Sequence, residues 1–168
     1  KKVLNNLIEK GKHSSFGKEH NFNKITSYKE FKKYVPIRSY EELYPYIKRI
    51  KRGEKNILWP GKIKWMAKSS GTTNSDSKYI PITKDALIDC HFKGGTDMLS
   101  LYANNFPTNN LYNGKGLMLG GTINNTQYSI QEGDLSAILI KEFPLWVSMH
   151  RIPDQETAIM TNWEVKLD

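Results

Sequence analysis

The residues best suited to chemistry lie between 69 and 78. Ser69-Ser70-Gly71-Thr72-Thr73-Asn74-Ser75-Asp76-Ser77 runs for nine residues with no hydrophobic side chain larger than a threonine methyl. Small side chains and a glycine let backbone N–H groups approach phosphate oxygens without obstruction. The hydroxyls of Ser69, Ser70, Thr72 and Thr73 add donors, and Lys78 adds a point charge at the far end. This chemistry suits a phosphorylated ligand. The same composition also serves in plain serine- and glycine-rich hairpin loops, where it only turns the chain. The loop is not that of the common NTPases, because Gly-Lys occurs at 11, 17, 61 and 114 and never precedes Ser or Thr. No G-x-G-x-x-G is present, so a dinucleotide fingerprint is absent.

Other constellations carry less. His13, His20, His91 and His150 show no metal-ligand spacing with one another. Cys90 beside His91 suggests a thiolate or metal pair, but adjacent helical residues point about 100° apart, so structural roles are favoured for both. A single Cys excludes an intramolecular disulfide framework and a multi-cysteine zinc site. No G-x-S-x-G elbow supports a serine hydrolase. Asn124-Asn125-Thr126 is a glycosylation sequon, read as incidental in a chain showing no secretory signal. Tyr128, Trp146 and Met149 read as core positions. No metal site is expected from the chain's own residues.

The elements that must hold the loop can be read from pattern. Val3, Leu4, Leu7 and Ile8 form one helical face that Gly11 ends. Ser14 to Asn23 reads as a polar loop. Ser27-Tyr28-Lys29-Glu30 and Ser39-Tyr40-Glu41-Glu42 are capping boxes, each opening a helix. The first helix ends before Pro36; the second carries Leu43, Ile47 and Ile50 on one face, with Pro45 near its first turn. From residue 57 the texture changes. Residues 57–59 and 63–67 read as strands around Pro60-Gly61, and 78–82 as another. Thr83 caps a long helix whose weak point is Gly94-Gly95. Residues 116–121 read as a strand, 135–140 as a short buried element and 156–167 as a helix. Strands and helices alternating from 57 onward suggest α/β layering, with a helical segment over 1–56 and the α/β part over 57–168.

Composition agrees with a folded chain. Apolar residues are 38% of 168, an ordinary level once 12 Gly are counted with them. The net charge of +8 is uneven: residues 1–68 hold 18 basic and 6 acidic side chains, residues 69–168 hold 7 and 11. With Phe31, Tyr34, Tyr40, Tyr44 and Tyr46 interleaved, the basic part has the ingredients of a single-strand binder. The spacing fits helix faces packed on a core, and a lysine coat on surface helices is the favoured reading. No stretch is long and apolar enough to span a membrane. Lys1-Lys2 leads into a segment too polar for a signal peptide, so a cytoplasmic chain is expected. The missing initiator Met and the uncapped helical pattern at the other end suggest a piece of something longer.

Ser69-Ser70-Gly71-Thr72-Thr73 followed by Lys78 resembles the first nucleotide motif of adenylate-forming enzymes, the superfamily of acyl-CoA synthetases and firefly luciferase. The surrounding chain narrows the match. Phe16-Gly17-Lys18-Glu19-His20, Val35-Pro36-Ile37 with Tyr40-Glu41-Glu42, Ile57-Leu58-Trp59-Pro60 and Gly133-Asp134-Leu135-Ser136-Ala137-Ile138 resemble the auxin-responsive acyl-acid amido synthetases. Within that family the chain resembles bacterial members of Bacteroidetes type. The resemblance covers nearly the whole chain, in order.

It implies an α/β fold: helical N-terminal decoration, then the first strands and helices of an incomplete large adenylate-forming domain. It implies activation of a carboxylic acid by ATP with Mg²⁺, release of pyrophosphate, and attack by an amine, usually of an amino acid. Ser69, Ser70, Gly71, Thr72 and Thr73 would wrap the ATP phosphates and Lys78 would close the loop. The superfamily often places Gly-x-Pro-Lys after the Ser/Gly/Thr core; here Asn74-Ser75-Asp76-Ser77 precedes Lys78. Asp76 must then point away from the phosphates or contact Mg²⁺. The adenine-stacking aromatic segment, the ribose-binding acid and the catalytic lysine have no match here. They are expected in the rest of the synthetase, and this piece alone is expected to be inactive. An acid pocket would draw on the 84–103 helix and the strand at 118–121. Acyl transfer to a thiol such as coenzyme A is the first alternative, and a basic module for nucleic acid or a protein partner the second.

Overall fold

The computed structural model describes residues 2–69, 77–126 and 130–167. They divide into two compact units, one of residues 2–64 with Ile130 and one of residues 65–126 with 131–167.

The first unit is helical. α1 (Lys2–Gly11) and α2 (Ser15–Glu19) precede a 3₁₀ turn at Phe22–Lys24, then α3 (Tyr28–Tyr34) and α4 (Tyr40–Lys51). Both capping boxes form: Ser27 and Ser39 accept from the backbone N–H of Glu30 and Glu42, and each glutamate accepts from its cap's N–H in return. α4 runs through Pro45 and buries Tyr46, Ile47 and Ile50. Its last turn carries Lys48, Arg49 and Lys51, where the helix dipole favours cations.

The segment expected as a polar loop is instead built around α2. Ser14, 1% exposed, donates to the Gly11 carbonyl at 2.8 Å and accepts from the Gly17 N–H at 2.9 Å. Gly17 has no room for a side chain, because a Cβ would fall on the Gly11 carbonyl. Residues 57–59 are not a strand. Asn56 is left-handed (φ 57°) and Gly61 has φ 91°, which closes a loop from the Asn56 N–H to the Gly61 carbonyl at 3.0 Å. The Asn56 and Ile57 carbonyls accept from Ser15 and Phe16 at the start of α2, so no strand partner is needed.

The second unit holds a four-stranded mixed sheet with order β2-β1-β5-β4. Its strands are β1 (Trp65–Lys68), β2 (Tyr79–Ile82), β4 (Ile123–Asn125) and β5 (Gln131–Asp134). β1 pairs antiparallel with β2 and parallel with β5. The predicted strand at 116–121 shrinks to β3 (Gly116–Leu117), parallel to β6 (Arg151–Ile152). The helices are α5 (Lys93–Asn105), α6 (Leu135–Lys141), α7 (Leu145–Met149), α8 (Gln155–Ala158) and α9 (Trp163–Leu167).

The core of this unit gathers Trp65 and Ala67 from one face of β1 with Ile82, Leu87 and Ile138. Full burial of side chains the size of Ile138 contributes ~1.5–3 kcal/mol each. The Trp65 indole N–H is kept satisfied by Glu142 at 2.9 Å. The short buried element at 135–140 is thus a helix; a brief apolar run fits either state until its partners are known. Thr83 caps as expected, its Oγ1 accepting from the Ala86 N–H at 2.9 Å. The irregularity sits one turn before the glycine pair, as a π-helical stretch over Ala86–Phe92. The single helix expected over 156–167 is two, because the Asn162 side chain accepts from the Glu164 N–H at 3.0 Å and starts a new one.

Candidate functional site

The loop singled out from sequence sits between β1 and β2. Lys68 pairs with Tyr79, and the next rung is closed by two bonds. The Ser69 N–H donates to the Lys78 carbonyl at 2.8 Å, and the Lys78 N–H donates to the Ser69 hydroxyl at 3.1 Å. Ser69 therefore pins the neck of the hairpin while keeping its own O–H available as a donor. The Lys78 side chain is exposed at that neck. Ser70, Gly71, Thr72, Thr73 and Asp76 lie outside the described residues. Of the six residues assigned to phosphate, the structure brings Ser69 and Lys78 together.

β1 is an inner strand, and Lys68 at its C-terminal end lies beside Asp134 at the C-terminal end of parallel β5. The crevice outside the carboxyl ends of parallel strands is where α/β sheets bind ligands. Asp134 ties that edge together. Its carboxylate accepts from the Thr122 N–H at 2.9 Å, and its own N–H donates to the Thr122 carbonyl at 3.1 Å. The Gly121 N–H donates to the Ser136 hydroxyl at 3.1 Å. A Cβ on Gly121 would land on the Asp134 carboxylate. Lys166, 5% exposed, reaches in to donate to the Gly120 carbonyl at 2.8 Å, with its ammonium 4.2 Å from the Trp163 ring centroid. Of these supports, Gly120 and Gly121 fall in the 118–121 stretch expected at an acid pocket, while Asp134, Ser136 and Lys166 carry no role from sequence. Their signals were the Gly120-Gly121 doublet and the Gly133-Asp134-Leu135-Ser136 run; the bonds joining them span 15 and 46 residues.

In the first unit, His20 and Tyr46 are engaged in packing and hydrogen bonds. His20, 4% exposed, stacks on Phe16 at 4.0 Å between centroids, and its Nε2 takes a hydrogen bond from Arg38 at 2.9 Å. Tyr46 donates to Glu19 at 2.5 Å; burial first, then this hydrogen bond, raises its pKa. Cys90 is exposed. Among the described residues no group of three or more His, Cys, Asp or Glu is arranged to hold a metal ion. The basic aromatic-rich segment pairs its cations with its own rings: Lys32 over Tyr28 and Lys48 over Tyr44 at 5.1 Å, Lys33 over Tyr34 at 5.6 Å. Such pairing leaves less open ring face for stacked bases.

Comparison with known proteins bears on the family and the fold. Over 88 residues the chain is 28% identical to the indole-3-acetic acid-amido synthetase GH3.5 of Arabidopsis thaliana, covering 52% of this chain and 14% of that protein. Over 86 residues it is 29% identical to the jasmonoyl–L-amino acid synthetase JAR4 of Nicotiana attenuata, covering 51% and 15%. The chain thus spans about a seventh of the length of these relatives. In fold it matches the GH3.15 acyl acid amido synthetase with a TM-score of 0.72 at 21% identity, over 96% of this chain and 28% of that one. Residues 1–167 match the GH3 family N-terminal domain, and the chain belongs to the GH3 family.

Proposed function

We propose that these residues are the N-terminal part of an ATP-dependent acyl-acid amido synthetase, with a helical segment at 1–56 and the start of the large nucleotide-binding domain at 57–168. The observation that carries this reading is the hairpin neck at Ser69 and Lys78, in a chain that belongs to the GH3 family. The donor chemistry of 69–78 fits a polyphosphate, being hydroxyls, small residues and one lysine. Ser70, Gly71, Thr72 and Thr73 hold the ATP phosphates, Ser69 fixes the spacing of the neck, and Lys78 closes it. Mg²⁺ carried by the nucleotide supplies the remaining neutralisation of phosphate charge.

A substrate carboxylate oxygen attacks the α-phosphorus and the bond to the β-phosphate oxygen breaks, giving an acyl-adenylate and pyrophosphate. An amine nitrogen then attacks the acyl carbon; the bond to AMP breaks and the amine loses a proton. The contribution of 69–78 is to hold donors where charge accumulates on the leaving pyrophosphate, before it accumulates. The acid pocket draws on the 84–103 helix and residues 118–121, and the catalytic lysine comes from the rest of the chain. No helix among the described residues is long and apolar enough to cross a membrane, and a cytoplasmic enzyme is part of the proposal.

Mass spectrometry of products from the complete protein tests the acceptor. With ATP, a panel of aromatic and aliphatic acids, amino acids and coenzyme A offered together, an acyl-amino acid amide is expected. A thioester as sole product assigns the chain to thiol transfer instead.

A further inference from the structure

Between Met118 and Ile123 the chain passes from one sheet to the other. The Met118 N–H still reaches the Ile152 carbonyl of β6 at 2.9 Å, and β4 begins at Ile123. Gly120, in between, is buried. A buried backbone group away from any ladder has to be paired in some other way. The Gly120 N–H donates to the Ala158 carbonyl at the end of α8 at 2.8 Å. The Gly120 carbonyl accepts from the Lys166 ammonium of α9, also at 2.8 Å. α6 packs against the same residue: a Cβ on Gly120 would lie 2.7 Å from Ile140 Cδ1 and 3.3 Å from Ala137 Cα. Three helices therefore grip this glycine, and one of its two hydrogen bonds comes from a side chain.

Lysine is a costly way to satisfy one carbonyl. An ammonium has three N–H donors, and burying it is unfavourable unless they are used. Lys166 is 5% exposed, and no carboxylate among the described residues pairs with it. Its ammonium has the Gly120 carbonyl and the ring of Trp163, three residues earlier on the same helix, with 4.2 Å to the centroid. An apolar side chain would fill the space at lower cost. What the ammonium adds is a charge-assisted hydrogen bond, roughly twice as strong as a neutral one. That bond spans 46 residues, so it ties Gly120 to α9 rather than to its sequence neighbours.

We propose that Lys166 is a positioning residue for the acid pocket, its bond to the Gly120 carbonyl latching residues 120–122 in place. The inference rests on the synthetase reading, which puts 118–121 at that pocket. Lys166 acts through the backbone of Gly120 and touches no substrate. From Gly120 the hold passes along the chain to Gly121 and Thr122. Their N–H groups go to the Ser136 hydroxyl at 3.1 Å and the Asp134 carboxylate at 2.9 Å. The phosphate loop is held separately, at the neck between Ser69 and Lys78. Loss of the latch is therefore felt by the acid and not by ATP.

The test uses the complete protein with Lys166→Met, which keeps an unbranched apolar stem and removes the donor, and Lys166→Arg, which restores a donor. Acid-dependent ATP–pyrophosphate exchange gives the apparent KM values, with the fastest-reacting acid of the aromatic and aliphatic panel as probe. Lys166→Met is expected to raise the KM for the acid about tenfold, the scale of losing a hydrogen bond to a charged group, with the KM for ATP within about twofold. Lys166→Arg is expected to bring the acid KM back to within about threefold of the unsubstituted protein. Amide hydrogen exchange in peptides spanning 118–122, read by mass spectrometry, is expected to quicken in Lys166→Met and recover in Lys166→Arg. Ile50→Val, in the buried face of α4, lowers the thermal midpoint and is expected to leave the acid KM and those amides unchanged. If Lys166→Met does not fold, Trp163→Leu takes its place; it removes the ring from the ammonium, and a rise of about threefold in the acid KM alone is expected. Faster amides with an unchanged acid KM make Lys166 a structural residue and overturn the proposal. A KM that rises equally for acid and ATP overturns it too. A complete protein that performs no exchange removes the synthetase reading and the acid pocket with it, and the 118–122 amides then decide alone whether the latch exists.

Discussion

At the scale of single residues, Ser69 and Gly121 do different jobs that substitution separates. The Ser69 hydroxyl takes the Lys78 N–H at 3.1 Å and so sets the width of the hairpin neck. Ser69→Ala removes that acceptor at a half-exposed site, at a cost of about 1 kcal/mol. Steady-state kinetics of the complete enzyme are expected to show a raised KM for ATP with kcat within about threefold; an unchanged KM would show that the neck bond is immaterial. Gly121→Ala forces a methyl onto the Asp134 carboxylate, and the edge must shift. The expected loss is about 1–3 kcal/mol in urea unfolding, whereas Gly95→Ala in α5, which meets nothing within 4 Å, is expected to stabilise by about 0.5–1 kcal/mol and serves as the contrasting control. Equal effects at both positions would contradict the packing described for Gly121. Sequence alone exposed the loop because its composition is local. It did not expose Asp134 or Lys166, whose partners Thr122 and Gly120 lie 12 and 46 residues away.

At the scale of elements, what could be read in advance was whatever is decided within four residues. Both capping boxes formed as expected, because serine and glutamate settle the orphan N–H groups with no outside help. Strands β1 and β2 were likewise visible from their alternation and flanking turns. Residues 57–59 were misread because the left-handed Asn56 turns the chain, and α2 takes the carbonyls a strand would have used. The strand at 116–121 is short because the Gly120 N–H goes to the Ala158 carbonyl at 2.8 Å instead of a ladder. The caps also carry a pH dependence. The backbone N–H of Thr26, then its hydroxyl, lowers the Glu30 pKa from its usual 4.5; hydrogen bonds from Thr157, led by its backbone N–H, lower that of Asp154 from 3.8. A carboxylate whose folded pKa is depressed stabilises the fold above its unfolded pKa and loses that contribution as pH falls through the folded value. In urea unfolding, Glu30→Gln is expected to narrow the gap between pH 6 and pH 3 stability, because the variant has nothing to lose in acid. A gap as wide as in the unsubstituted protein would contradict the capping role.

At the scale of the whole molecule, the net charge of +8 and its concentration in residues 1–68 invite a nucleic-acid reading that the side chains do not favour. Three of its tyrosines are each engaged by a neighbouring lysine on the same helix. Binding of a single-stranded oligonucleotide is therefore expected to be of the non-specific kind, with Kd of about 10⁻⁴–10⁻⁶ M at physiological salt and an affinity that falls steeply as salt rises. Tight, salt-resistant binding would reverse that view. Residues 70–73 are proposed to hold ATP phosphates while an acid is adenylated. Acid-dependent exchange of labelled pyrophosphate into ATP measures that step directly, on the complete protein and on its Ser70→Ala and Thr72→Ala variants. Exchange by the unsubstituted protein is expected, with a loss of about 10²-fold or more in at least one variant, the scale of losing a preorganised donor to developing charge. Exchange that proceeds undiminished in both variants would contradict that role.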